Sequence, residues 1–170
     1  GHELVCAAHL SPQNDADELD SFCFQSAAHN VVEGVAACLG VPLVRRTWDG
    51  KSIDQSLNYT QTEGDEVEEL YELLREVLRK HPDVTAVSSG AILSTYQRTR
   101  VETCCQRLQL TSLAYLWQRP QRQLLKDMSR SGLRAIVVKT ATLGLEPEDL
   151  GLQLMARATR SRFDALHDKY

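Results

Sequence analysis

The residues best suited to chemistry lie at positions 89–100, S-G-A-I-L-S-T-Y-Q-R-T-R. Gly90 removes a side chain that would keep a ligand off the backbone. Ser94 stands where a helix should begin, which brings free N–H groups and a hydroxyl to one point, a natural anion site. Arg98 and Arg100 add planar forks of donors that match phosphate or carboxylate, with Tyr96 and Gln97 beside them. The chemistry this combination supports is the binding of an anion. A plainer reading stands beside it: a serine N-cap followed by arginines on a solvated helix face.

Further candidates flank this segment. Basic side chains continue at Arg107, Arg119, Arg122, Lys126, Arg130 and Arg134, with only Glu102 and Asp127 against them. Tyr115 and Trp117 directly precede Gln118 and Arg119, and such aromatics either line a base or substrate pocket or fill a core. At Asp20 and Ser21 an acid and a hydroxyl suit either a metal-bound phosphate or a helix cap. Glu66, Glu68 and Glu69 cluster at a helix start and are expected to be a solvated face rather than a metal site. The five cysteines (Cys6, Cys23, Cys38, Cys104 and Cys105) include no C-x-x-C pair, so they read as small hydrophobes in a reduced setting. Cys6 and His9 form a C-x-x-H that no second pair completes, and Asn58-Tyr59-Thr60 is a glycosylation sequon best read as a polar loop.

Alternating elements must position these residues. Strands are expected at 3–10, 42–48, 84–93, 111–117 and 133–141, the last containing the apolar run A-I-V-V at 135–138. Residues 11–20 read as a polar loop, and 49–63 as a turn followed by a polar stretch. A helix is predicted from Phe24 to Leu39, closed by Gly40 and Pro42. The clearest helix follows Asp65, with Val67, Leu70, Leu74, Val77 and Leu78 as its stripe, acids first and Arg79, Lys80 and His81 last. Others are expected after Ser94, over 122–130, and from about Glu148. The alternation predicts an α/β fold: a mostly parallel sheet with helices on both faces. Ligands in such folds bind beyond the carboxyl ends of the strands, which would gather loops 11–21, 89–100, 117–122 and 140–145 into one cleft.

Composition narrows the function classes. The chain has 170 residues, 42% hydrophobic and 25% charged, in the range of a globular domain. A net charge of -4 argues against a general nucleic-acid binder. No apolar run approaches the roughly 18 residues of a membrane span. The chain starts at Gly1 without a methionine, which raises the expectation that it is a piece of a longer protein.

Several segments together resemble the diphthine–ammonia ligase family, a branch of the N-type ATP pyrophosphatases. They are E-L-D-S-F at 18–22, V-P-L-V-R-R-T at 41–47, E-G-D-E-V-E-E-L-Y-E-L-L at 63–74, G-A-I-L-S-T-Y-Q-R-T-R-V-E at 90–102, L-A-Y-L-W-Q-R at 113–119 and L-G-L-E-P at 143–147. They follow the family's order and spacing over nearly the whole chain, and are closer to its eukaryotic type. The resemblance implies a Rossmann-like, adenine-nucleotide alpha hydrolase-like (HUP) fold. It also implies a reaction: ATP, with Mg2+, activates the carboxylate of diphthine on translation elongation factor 2. Pyrophosphate leaves, and ammonia displaces AMP to give the amide of diphthamide. On this reading Gly90, Ser94, Tyr96, Gln97, Arg98 and Arg100 line the nucleotide or substrate cleft, with Trp117 and Arg119 nearby and Asp20 and Ser21 opposite. Thr95 stands where the family pattern has an acid.

Two pieces of the family pattern do not occur in these residues: the first strand with its S-G-G-K-D-S phosphate loop, and the later G-E-G-G-E-Y-E segment. The expectation is therefore a partial domain over 1–170, cytoplasmic and with no membrane or direct nucleic-acid partner, that has little or no ligase activity by itself. One alternative is a non-catalytic remnant or splice form acting as a binding module. Another is a related pyrophosphatase that thiolates RNA, against which the cysteine pattern and acidic balance weigh.

Overall fold

The computed structural model describes residues 1–13, 18–19 and 21–170. The chain divides into two compact units, Gly1–Trp117 and Gln118–Tyr170. Strands are parallel and alternate with helices, as the α/β pattern requires. Instead of one sheet, the described strands form two parallel pairs.

In the first unit β1 (Ala7–Pro12) pairs with β2 (Leu43–Trp48), in a register running from Ala7 opposite Leu43 to Pro12 opposite Trp48. β1 begins later than the apolar pattern predicted and continues through Ser11 and Pro12. Between the two strands the helix expected from Phe24 is mostly absent. Only a 3-10 turn at His29–Val31 and α1 (Val32–Leu39) form. Hydroxyl groups explain the loss, because they offer the backbone a competing set of bonds. Ser21 Oγ accepts from the N–H groups of Cys23 and Phe24, and Ser26 Oγ accepts from Leu19 N–H while donating to its carbonyl. Ala28, at φ 60, then interrupts any helical run. Gly40 closes α1 in the left-handed region at φ 69, as expected for a C-cap glycine.

α2 (Glu66–Lys80) follows its expected pattern closely. Asp65 caps it, accepting from Val67 N–H at 2.9 Å. One side of α2 packs Leu73 and Val77 with Leu10, Val44 and Trp48, and Phe24 meets the Trp48 ring edge-on at 5.6 Å. Its other side packs Val67 and Leu74 with Cys104 of α3 (Thr95–Arg107). The helix is thus the spine of the unit, with apolar contact on two faces.

β3 (Ala86–Ser88) and β4 (Thr111–Leu113) flank α3 and pair in parallel. Both are much shorter than the apolar runs predicted. After Leu113 the chain turns, closed by Trp117 N–H to Ala114 O at 3.1 Å, so Tyr115 and Trp117 stand in a turn rather than a strand.

The second unit holds α4 (Gln121–Arg130), a 3-10 turn at Pro147–Asp149 and α5 (Arg157–Lys169). The strand expected at 133–141 does not form: only an isolated antiparallel bridge joins Ile136 to Gln153. Val137 exchanges both backbone bonds with Gly151 and Leu152, and Ile136 and Val138 are left 53% and 54% exposed. The last helix also starts later than expected. Asp149 instead caps the 3-10 turn through Glu146 N–H and receives two 2.7 Å bonds from Arg162, and Gly151 turns left-handed at φ 78.

Candidate functional site

Several candidates of the first unit, Ser21, Tyr96 and Arg100 among them, are tied to α2 or to the stretch joining β2 to α2. That stretch, expected to be a turn followed by a polar segment, is pinned along its length. Asp65 is wholly buried: while one carboxylate oxygen caps α2, the other accepts from Ile53 N–H at 2.8 Å and Asp54 N–H at 2.9 Å. Asp54 in turn accepts from Ser56 and Thr60 N–H; hydrogen bonding from the Ser56 side chain first, and then from these N–H groups, holds its carboxyl down at about 2. Residues 52–62 therefore form a strap fastened to the start of α2.

Arg100 fastens the same strap from the other side. It is fully buried, with Nη2 donating to the carbonyls of Asp54 at 2.5 Å and Ser56 at 3.0 Å. Its guanidinium lies 3.3 Å from the centre of the Tyr96 ring and 5.5 Å from that of Tyr59. The Tyr96 hydroxyl shares a 3.0 Å hydrogen bond with Ser52, and burial raises its pKa. Arg100 thus acts behind the surface, on the strap, rather than as an open anion fork.

The acidic cluster corrects the sequence reading, which expected a solvated face. Glu66 is 1% exposed. It accepts from Ser21 Oγ at 2.6 Å and Cys23 N–H at 3.1 Å, tying residues 21–24 to the helix. Burial pushes its pKa up, against the opposing pull of Ser21, Ser52 and Cys23. Glu68 takes a two-pronged bond from Arg107 at 2.7 and 2.8 Å and a third from the Tyr59 hydroxyl. Burial acts to raise the Glu68 pKa, but those bonds outweigh it and the net shift is downward. Glu69 pairs with Arg46 at 2.6 Å. Sequence reasoning missed Glu66, Ser52, Tyr59 and Asp65 as parts of one cluster. The signal was E-G-D-E at 63–66, where one acid caps the helix and the next is buried beside Val67.

The remaining candidates are dispersed. Ser94 caps α3 as expected, accepting from Gln97 N–H at 3.2 Å. Gly90 is exposed, its φ is not left-handed, and no atom lies within 4 Å of where a Cβ would stand. Neither packing nor backbone geometry demands glycine there. Arg98 donates Nε to Glu102 at 2.6 Å and lies over Trp117, 4.7 Å from the ring centre. Asp20 lies outside the described residues. Arg119 belongs to the second unit, where it pairs with Asp127 at 2.5 Å. Much of the basic run is likewise spent: Arg107 on Glu68, and Arg122 on Asp164 and Asp168. Burial pushes the Cys104 and Cys105 thiols up to about 12 and about 11, which makes them inert packing groups. Among the described residues no three His, Cys, Asp or Glu side chains gather as a metal site, and no helix is long and apolar enough to cross a membrane.

Comparison with known proteins adds a family to this geometry. The family model described as diphthamide synthase N-terminal domain matches residues 13–112, which include the strap, both capped helices and the Glu66 cluster. The diphthine–ammonia ligase of Schizosaccharomyces pombe is 54% identical over 154 residues, covering 91% of this chain and 25% of its own length. Those of Bos taurus and Homo sapiens are 50% and 49% identical over 151 residues, each covering 87% of this chain and 56% of its own length. The chain therefore spans about half the length of these mammalian relatives and a quarter of the yeast one. With the family model matching more than half of it, this chain belongs to the diphthamide synthase N-terminal domain family.

Proposed function

We propose that this chain is the larger part of the nucleotide-binding domain of a cytoplasmic, ATP-dependent amide ligase. The reaction converts diphthine on elongation factor 2 to diphthamide. The diphthine carboxylate attacks ATP to form an acyl-adenylate and release pyrophosphate; ammonia then attacks the acyl carbon and AMP leaves. A role in diphthamide biosynthesis is supported by one observation above all: relatives named diphthine–ammonia ligase are 54% and 50% identical to it in alignments covering 91% and 87% of this chain.

In this reading Ser94, Tyr96, Gln97 and Arg98 meet nucleotide or substrate, Gly90 leaves room for it, and Ser21 and Trp117 border the same site. Arg100 and Glu66 hold the strap and residues 21–24 in place for them. Catalysis of nucleotidyl transfer is chiefly positioning and charge neutralisation, which suits donors on a fixed helix. Mg2+ in nucleotide enzymes is held by phosphate oxygens with one or two carboxylates. Among the described residues no three His, Cys, Asp or Glu side chains gather as a cage of their own, so phosphate oxygens would supply most of its ligands.

The test is AMP release that depends on both diphthine-bearing elongation factor 2 and ammonium. The full-length protein containing these residues should release AMP, and the 170-residue chain alone should release little or none. A full-length protein with no such release would overturn the assignment and favour a binding module.

A further inference from the structure

Arg98, like Arg46, gives its Nε to a glutamate at 2.6 Å, but Arg98 also lies over an aromatic ring. Its Nε is taken by Glu102 one turn along α3, and its Cζ lies over the Trp117 ring, 4.7 Å from the ring centre. Nη1 and Nη2 make no hydrogen bond among the described residues, and the side chain stays 34% exposed. An exposed arginine normally samples many rotamers, and ordering it on binding is costly. Here one edge and one face are already fixed, leaving the end-on pair of N–H groups as the free, pre-aimed part. Two parallel N–H groups at that spacing match the two oxygens of a carboxylate or a phosphate. Arg107, by contrast, shows what a spent fork looks like: both of its Nη atoms are bound to Glu68.

We infer that Arg98 is an end-on oxyanion receptor, and that Trp117 and Glu102 are positioning residues that fix its guanidinium for that ligand. The turn after β4 then has a purpose beyond connection, since it carries the ring on which the receptor rests. Glu102 on the Nε edge lowers the net charge of the site, so binding should rest on the geometry of the fork and be only moderately strong. The inference deepens the ligase reading: the oxyanion is either a phosphate of ATP or the carboxylate to be activated.

Binding to the 170-residue chain separates these sources without requiring turnover. Calorimetric titration with inorganic pyrophosphate reports a phosphate receptor, and titration with propionate a carboxylate receptor. One of the two should bind saturably and change the tryptophan fluorescence, because Trp117 backs the receiving group. Arg98→Gln should weaken that binding about tenfold or more. Trp117→Leu should weaken it about threefold, and Trp117→Phe should restore it, with melting temperatures unchanged in both. Absence of binding by either anion overturns the inference, as does binding that Arg98→Gln leaves intact. A melting-temperature loss in Trp117→Leu with unaltered affinity makes Trp117 merely structural, which also overturns it. Because no AMP is measured, the receptor can stand while the ligase assignment fails, and the reverse.

Discussion

Arg98 and Arg100 leave α3 two residues apart, roughly 200° around the helix, and enter opposite surroundings. Around Arg100 the structure is closed: the side chain is fully buried, its Nη2 holds two strap carbonyls, and its face rests on Tyr96. Around Arg98 one edge is bonded, one face lies over a ring, and the end is open. Both arginines contact an aromatic ring, yet only Arg100 has been desolvated completely. A guanidinium removed from water needs acceptors, and the strap supplies two backbone carbonyls to Nη2 rather than a carboxylate, while Nε has no hydrogen-bond partner among the described residues. The lesson is that the same residue type, in the same motif, serves architecture on one side of a helix and leaves chemistry to the other.

Removing the closed side should have the largest effect. Arg100→Met should cost about 3 kcal/mol in urea denaturation, since it leaves strap carbonyls unpaired as well as losing bonds to a charged donor. A loss below about 1 kcal/mol would mean the strap holds without it, and the contrast with Arg98 would collapse.

Glu66 tests the closed region through pH. Its native pKa is raised by burial, so between the ordinary carboxylate range and that raised value the native state keeps a proton that the unfolded chain has released. Stability from this group should therefore be full at low pH and fall as pH climbs through that interval. Glu66→Gln should flatten the fall, which denaturation midpoints from about pH 4 to about pH 7 would reveal. An identical slope in both proteins would show that Glu66 is not the group responsible.

The smallest effect belongs to the open side. Arg98→Gln should change stability by only about 0.3–0.5 kcal/mol, the range for a part-exposed ion pair one helical turn apart. A loss near that of Arg100→Met would make Arg98 a structural residue and remove the distinction.

What the amino-acid sequence revealed follows the same division. α2 and α3 were legible because their signals are local: Asp65 and Ser94 at the caps, with Val67, Leu74 and Cys104 at helical spacing. The fate of residues 133–141 was not, because an apolar run states that a segment seeks neighbours without naming them. In the second unit Val137 found Gly151 and Leu152 rather than a sheet. The failed start of the first helix was hidden in Ser21 and Ser26, whose hydroxyls act on the backbone only once it has turned. Arg98 and Arg100 looked equivalent because which side of α3 meets the strap is decided by packing 44 to 46 residues away in sequence.

Sequence distance also separates the fastenings of the strap itself. Asp65 reaches back 12 and 11 residues to Ile53 and Asp54, Tyr59 reaches forward 9 to Glu68, and Asp54 reaches only 6 to Thr60. Closing such short loops costs little chain entropy, and the cost rises with the logarithm of the span. The strap and the first turn of α2 are therefore a locally encoded unit, able to recognise each other before distant elements arrive. The bonds from Arg100 are the long-range clasp laid over it. Its charge enters the interior at a place where the carbonyls that must receive it are already held in position.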